Sequence, residues 1–96
     1  MDFQVRISDV ALAEFEDLLE YSWDKFPESA ERFGNSLLDH VEMLERFPYL
    51  GRGVSGKPGV RQLVHTPILI YYRVQQNPNV VEILHFWHAS RGDLPF

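Results

Sequence analysis

Cysteine is absent from this chain. Disulfides and thiolate metal sites are thereby excluded, and the fold is indifferent to the redox state of its compartment. Long apolar runs are absent too: no stretch approaches the about 20 residues that a membrane-spanning helix needs. The opening residues, MDFQVRISDV, show no basic region followed by a long apolar stretch, so neither export nor membrane insertion is expected and a cytoplasmic location fits best. Positive charge is scarce. Nine Lys and Arg stand against fourteen Asp and Glu, a net charge of −5, which argues against tight non-specific binding to nucleic acid because such binding needs many phosphate contacts. No Ser-His-Asp order, glycine-elbow serine or paired-carboxylate signature stands out. Internal repeats, linkers and low-complexity segments are also missing.

What is present suits one folded unit. The 96 residues are 45% hydrophobic and 14% aromatic, enough for a single domain over residues 1–96 to bury a core without staples. Charge is divided unevenly: residues 1–50 hold four Lys and Arg against twelve Asp and Glu, whereas residues 51–96 hold five against two. Acidic residues solvating exposed helix faces account for most of this asymmetry. The second half still has room for a small basic surface.

Phe3 to Ile7 alternates apolar Phe3, Val5 and Ile7 with Gln4 and Arg6, the period of a half-buried strand. Ser8 or Asp9 can then cap a helix whose positions Leu12, Phe15, Leu18 or Leu19, Ser22 and Phe26 recur at helical spacing. Pro27 ends this helix or opens the next, where its missing N–H would have had no partner. The second helix is expected to run to about Phe47 and stop at Pro48, with Ala30, Phe33, Leu37, Val41 and Leu44 on one stripe. Two amphipathic helices so closely joined must pack as an antiparallel hairpin, against each other and against a sheet. Four glycines and Pro58 make residues 49–59 a loop. Val60 to His65, Ile68 to Gln75 and Val80 to His88 read as strands, the last two joined by a hairpin turn at Asn77, Pro78 and Asn79. The order β-α-α-β-β-β predicts a two-layer α+β fold: an antiparallel α-helical hairpin packed on a mostly antiparallel four-stranded sheet. The first strand joins that sheet at an edge or inserts within it.

Gly51, Gly56 and Lys57 stand at the G-x-x-x-x-G-K spacing of a phosphate-binding loop, but Pro58 follows where a Ser or Thr should hold Mg²⁺ and open a helix. The flanks are reversed as well, a helix before and a strand after, so no nucleotide is expected there. Arg61 starts the next strand beside this loop and could contact a phosphate or carboxylate through its rigid fork. The plainer alternative is a solvated or ion-paired edge residue. Near the end of the last strand, His88 could exchange a proton near neutral pH and Arg91 could stabilise an anion, which would suit phosphodiester cleavage. His88 could equally fill space and hydrogen-bond at the sheet end. His85 and His88 point to opposite faces of an unbroken strand and cannot chelate one metal together. With no cysteine, and with His40 and His65 elsewhere in the sequence, no metal is expected. Tyr71, Tyr72, Phe86 and Trp87 read as core and cross-strand packing. A base-stacking platform would need basic residues among exposed aromatics, and only Arg73 qualifies clearly.

These fragments form a pattern. In order along nearly the whole chain they are Tyr21, then Pro27, Ala30 and Phe33 in FPESAERF, and Phe47, Pro48, Gly51 and Arg52 in FPYLGR. Gly59, Arg61 and Leu63 in GVRQL, Tyr72 in ILIYYRV, and Val81, Ile83, His88 and Arg91 in VEILHFWHASR complete it. The set resembles the RelE/ParE superfamily of toxins from bacterial type II toxin–antitoxin modules, and more closely its ParE, or plasmid-stabilisation, branch.

The resemblance implies a small toxin without a cofactor, held inactive by a cognate antitoxin whose C-terminal segment lies across the helix hairpin and sheet. It also implies one of two targets. RelE-like members cut messenger RNA in the ribosomal A site with basic residues on the sheet, whereas ParE-like members poison DNA gyrase and are not nucleases. The RelE pattern is depleted here: apolar Leu69 stands at the strand position of its arginine, its loop lysines are thinned to Lys57, and its terminal tyrosine is missing. A nuclease so altered would have lost much of its phosphate-stabilising charge. The resemblance therefore implies a gyrase inhibitor with Arg61, Arg73, His88 and Arg91 as candidates for the toxic surface. One alternative is a ribosome-dependent endoribonuclease with His88 as general acid or base and Arg61 and Arg91 at the phosphate. Another is a chain that keeps the fold and antitoxin binding but has lost toxicity.

Overall fold

Two helices and five strands succeed one another as β1 (Gln4–Ile7), α1 (Asp9–Lys25), α2 (Pro27–Glu42), β2 (Arg52–Gly53), β3 (Val60–His65), β4 (Ile68–Gln75) and β5 (Val80–His88). They are seen in a computed structural model that describes residues 2–92. The strands form one sheet in the order β1-β5-β4-β3-β2. β1 takes an edge position parallel to β5, and every other pairing is antiparallel. The α+β architecture expected from the sequence is therefore present, with one strand more than expected. Arg52 and Gly53, read from the sequence as loop, pair with Gln62 and Arg61 and satisfy part of the β3 edge.

The first helix is fastened to the sheet by its cap. The Ser8 hydroxyl accepts the Ala11 N–H at 3.1 Å and donates to the Leu84 carbonyl at 3.3 Å, while the Ser8 N–H reaches the Ile83 carbonyl at 3.0 Å. These bonds draw the first turn onto β5, and the fully buried Ala11 fills the narrow space between them. The inward stripe is thus Ala11, Phe15, Leu18 and Leu19. Leu12 and Phe26, expected on that stripe, face outward instead, 45% and 65% exposed.

Phe26 ends α1 and caps α2, with Pro27 at the first helical position. Ala30, Leu37 and Val41 of α2 are buried as expected. The helix stops earlier than expected, at Glu42, and tightens into a 3₁₀ turn over Met43–Glu45. That turn presents the Glu45 carbonyl to the Phe3 N–H at 2.8 Å, tying the chain's first strand to the end of the helical layer. It also buries Leu44 completely.

The core lies between the layers, where Leu63, Ile68, Ile70, Tyr72, Val81, Ile83 and Phe86 meet the helices. Tyr71 pairs with His85 but Tyr72 pairs with Ile83, so Leu84 is an extra residue in β5. This bulge lets Ile83 and Phe86, three positions apart, both face the helices, and the Phe86 ring meets Phe15 at 5.5 Å between centroids.

On the helix side of the sheet, the buried Tyr72 hydroxyl accepts the Gly51 N–H at 2.8 Å. A Cβ on Gly51 would fall 2.6 Å from the Gln62 carbonyl oxygen and 2.8 Å from the Tyr72 ring. The backbone carbonyl cannot move aside without breaking the β2–β3 pairing. Gly51→Ala is therefore expected to destabilise the chain by about 2–3 kcal/mol, through overpacking and the loss of a buried hydrogen bond. Chemical denaturation checks this, and an unchanged midpoint would contradict it.

Candidate functional site

The four residues expected on a toxic surface divide between two ends of the sheet, and at one end between its two faces. Arg61, partly buried on the helix side of β3, donates from Nη1 to the Gly51 carbonyl at 2.7 Å. Its guanidinium lies 4.8 Å from the Tyr49 ring centre, a cation–π contact. Arg73 is exposed and stands opposite Val60 and Glu82, on the other face of the sheet from Arg61.

His88 and Arg91 lie together at the far end of β5. The Ser90 N–H, which can only donate, points at His88 Nδ1 at 3.1 Å, and the Ser90 hydroxyl approaches the same nitrogen at 2.6 Å. This hydrogen bond assigns the lone pair of a neutral His88 to Nδ1 and its proton to Nε2. His88 therefore offers a donor, while its basic nitrogen is covered. The Arg91 guanidinium lies 5.7 Å from the Trp87 ring centre, and Trp87 Nε1–H donates to the Gly92 carbonyl at 3.0 Å. Together these contacts fold the 3₁₀ turn Ala89–Arg91 back on the strand end.

Sheet register measures the separation of the two regions. Arg61 stands opposite Tyr72 and His88 opposite Ile68, four positions apart on β4, or about 13 Å of strand.

His88 also borders a cleft of about 360 Å³ between the tip of the hairpin and the end of the sheet. Leu18, Tyr21, Phe26, Phe33 and Ile68 line it with apolar surface. The helical spacing that puts Phe26 in the core gives no hint of this cleft. The available signal is an excess of apolar groups on α1, since Val10, Tyr21 and Trp23 fall outside any single inward stripe.

Glu14 is a second residue that the sequence pattern does not single out. β1 covers β5 only as far as Ile83, and past that point the strand edge would be bare. There the Glu14 carboxylate accepts the Phe86 N–H at 3.2 Å and faces His85 Nδ1 at 3.1 Å, so a side chain of α1 substitutes for a missing strand.

Over residues 5–92 the sequence matches the family described as the ParE toxin of the type II toxin–antitoxin system, parDE. The chain belongs to the ParE toxin family. Among solved structures, this ParE-family chain is similar to one from the chromosomal ParDE system of P. aeruginosa, with a TM-score of 0.77 and 22% identity over 90% of this chain and 95% of that one. It is also similar to a chain of the toxin–antitoxin complex RelBE2 from Mycobacterium tuberculosis, with a TM-score of 0.72 and 19% identity over 92% and 99% of the two chains. At these identities the likeness is one of fold. No curated protein matches by sequence.

In this ParE-family fold, the layers are also joined by a histidine pair that lies far apart in sequence. His40 of α2 and His65 of β3 meet Nδ1 to Nδ1 at 2.9 Å, and His65 Nε2 approaches the Ser36 hydroxyl at 3.4 Å. One ring must donate and the other accept. Among the described residues no three metal-ligating side chains converge, so the pair reads as a hydrogen bond between the layers.

Burial first, and the neighbouring His40 second, lower the proton affinity of His65 below the ordinary histidine value of 6.5. A histidine whose folded pKa is depressed stabilises the fold above its unfolded pKa, and that contribution is lost as pH falls through and below it. We therefore expect stability to drop on acidification from about pH 7.5 to 5.5, and to drop less in His65→Gln. Denaturation midpoints across that range check this. Equal acid sensitivity in the variant would contradict it.

Proposed function

We propose that this toxin acts by binding DNA gyrase, without catalysis, and is neutralised by a cognate antitoxin that occupies the cleft at the hairpin tip. The observation that carries this reading is the separation of the candidate residues. Cleavage of a phosphodiester needs cations and a proton-transfer group converging on one phosphate, because electrostatic stabilisation is usually the largest catalytic term. Here one hydrogen-bond donor of Arg61 is committed to Gly51, Arg73 lies on the opposite face, and the basic nitrogen of His88 is covered by Ser90. That arrangement supports a binding surface in preference to a nuclease.

The antitoxin half of the reading rests on exposed apolar surface. Tyr21 and Phe26 are 61% and 65% exposed beside the cleft, and His88 offers an N–H at its border. Apolar side chains clustered in this way mark an interaction site. The similar solved structures come from a ParDE system and a RelBE2 toxin–antitoxin complex, which agrees with a protein partner for this face.

Inducing the chain in cells, with and without the antitoxin, tests both halves. We expect growth arrest, loss of supercoiling by purified gyrase, intact messenger RNA, and rescue by the antitoxin. Codon-spaced cuts in translated messenger RNA with gyrase unaffected would overturn the gyrase reading. Absence of any arrest would leave a chain that only binds antitoxin. Phe26→Ser is expected to weaken antitoxin binding by about tenfold or more, as loss of a buried aromatic anchor does. Unchanged affinity in calorimetry would remove the cleft from the interface.

A further inference from the structure

From Arg46 to Val81 the chain carries five basic residues and no acidic one, although it has fourteen acids in all. The fold gathers the first part of this stretch into the loop that leaves α2, the short strand β2 and the edge of β3. Arg46 and Arg52 are exposed there, and Arg61 stands behind Tyr49. Among the described residues no carboxylate forms an ion pair with Arg46, Arg52 or Arg61. Glu42 and Glu45 border the region at the end of the helical layer.

Large apolar side chains are exposed along the same segment of chain. Phe47 is 56% exposed and Leu50 46%, with Met43 and Tyr49 beside them in the chain and similarly exposed. The framework beneath them is fixed. The Phe47 N–H bonds the Met43 carbonyl at 2.9 Å, the Leu50 N–H bonds the Phe47 carbonyl at 3.0 Å, and Gly51 is held from both sides by Tyr72 and Arg61. Anchors already held in place lose little freedom when a partner arrives.

We propose that this loop and sheet edge grip the toxin's target, and that the target presents an acidic protein segment carrying an apolar side chain. The proposal rests on the toxin reading above. Charge complementarity selects an acidic partner, since Arg46 and Arg52 are exposed with no ion pair among the described residues and no acidic residue lies between Arg46 and Val81. Apolar anchors select a protein over a nucleic acid. One face of the Tyr49 ring is covered by Arg61 and so is closed to a base. The 16 residues of α2 separate this region from the cleft at the hairpin tip by about 24 Å, so target and antitoxin meet different ends of the molecule.

Two variants test this in the full chain: Arg46→Glu with Arg52→Glu, and separately Phe47→Ser. Neither alters Arg61 or the cleft. Melting curves and calorimetry with the antitoxin should stay near the unsubstituted values, while growth arrest on induction should be lost and inhibition of purified gyrase weakened by about tenfold or more. Arrest undiminished in both folded variants would overturn the proposal. A short DNA duplex or single-stranded RNA bound by the unsubstituted chain and released by the charge reversal would assign the face to nucleic acid instead, and would overturn it too. A self-associated chain in sedimentation that Phe47→Ser dissociates would make the face a contact between copies, and would likewise overturn it. If the unsubstituted chain arrests growth without affecting gyrase or messenger RNA and both variants do not, the gyrase reading fails while this face stands. If the unsubstituted chain arrests nothing, both fall.

Discussion

Gly51 is held at both of its backbone groups. Its N–H meets the Tyr72 hydroxyl from the core and its carbonyl meets the Arg61 guanidinium from β3, at 2.8 and 2.7 Å. Because a glycine alone fits against the Gln62 carbonyl at this point, the loop leaving α2 is drawn down onto the sheet with no slack. The consequences spread outward. Arg52 and Gly53 fall into register beside β3, Tyr49 is set under the Arg61 guanidinium, and Phe47 and Leu50 are left facing solvent. The same burial raises the pKa of the Tyr72 hydroxyl, partly opposed by the Gly51 bond and by Arg61, so the phenol remains a neutral partner at physiological pH.

The rest of the sheet is closed by α1. A parallel edge strand four residues long leaves much of β5 uncovered, and bare edges invite pairing with other chains. Ser8 and Glu14 supply the missing partners from one helix, and the bulge at Leu84 turns Phe86 inward to meet Phe15. The helix that seals this edge also carries apolar side chains it does not bury, and one of them, Tyr21, lines the cleft beside Leu18.

Much of this fold could be read from residue order. β3, β4 and β5 have the bounds that the sequence predicts, and Pro27 marks the junction of the helices, because these are local signals. What escaped is tertiary. A strand of two residues has no period to detect, and β2 exists through its pairing with Gln62 and Arg61 of β3. Ala11 displaced Leu12 from the core because Ser8 fixed the helix closer to the sheet than periodicity alone could say. His40 and His65 are 25 positions apart in sequence and meet only through packing. For the site, the chemistry of Arg61, Arg73, His88 and Arg91 was readable from residue type, but their division between two ends of the molecule required the strand register.

On the reading proposed above, this ParE-family toxin is a binding protein with separate faces for its target and its antitoxin, the one arginine-rich beside exposed aromatics and the other apolar. Backbone hydrogen exchange on the chain in complex with gyrase tests that division most directly. Slowed exchange confined to residues 43–62, with the cleft residues 18–33 exchanging as in the free chain, is the expected result. Slowed exchange in the cleft with none in the loop would contradict it.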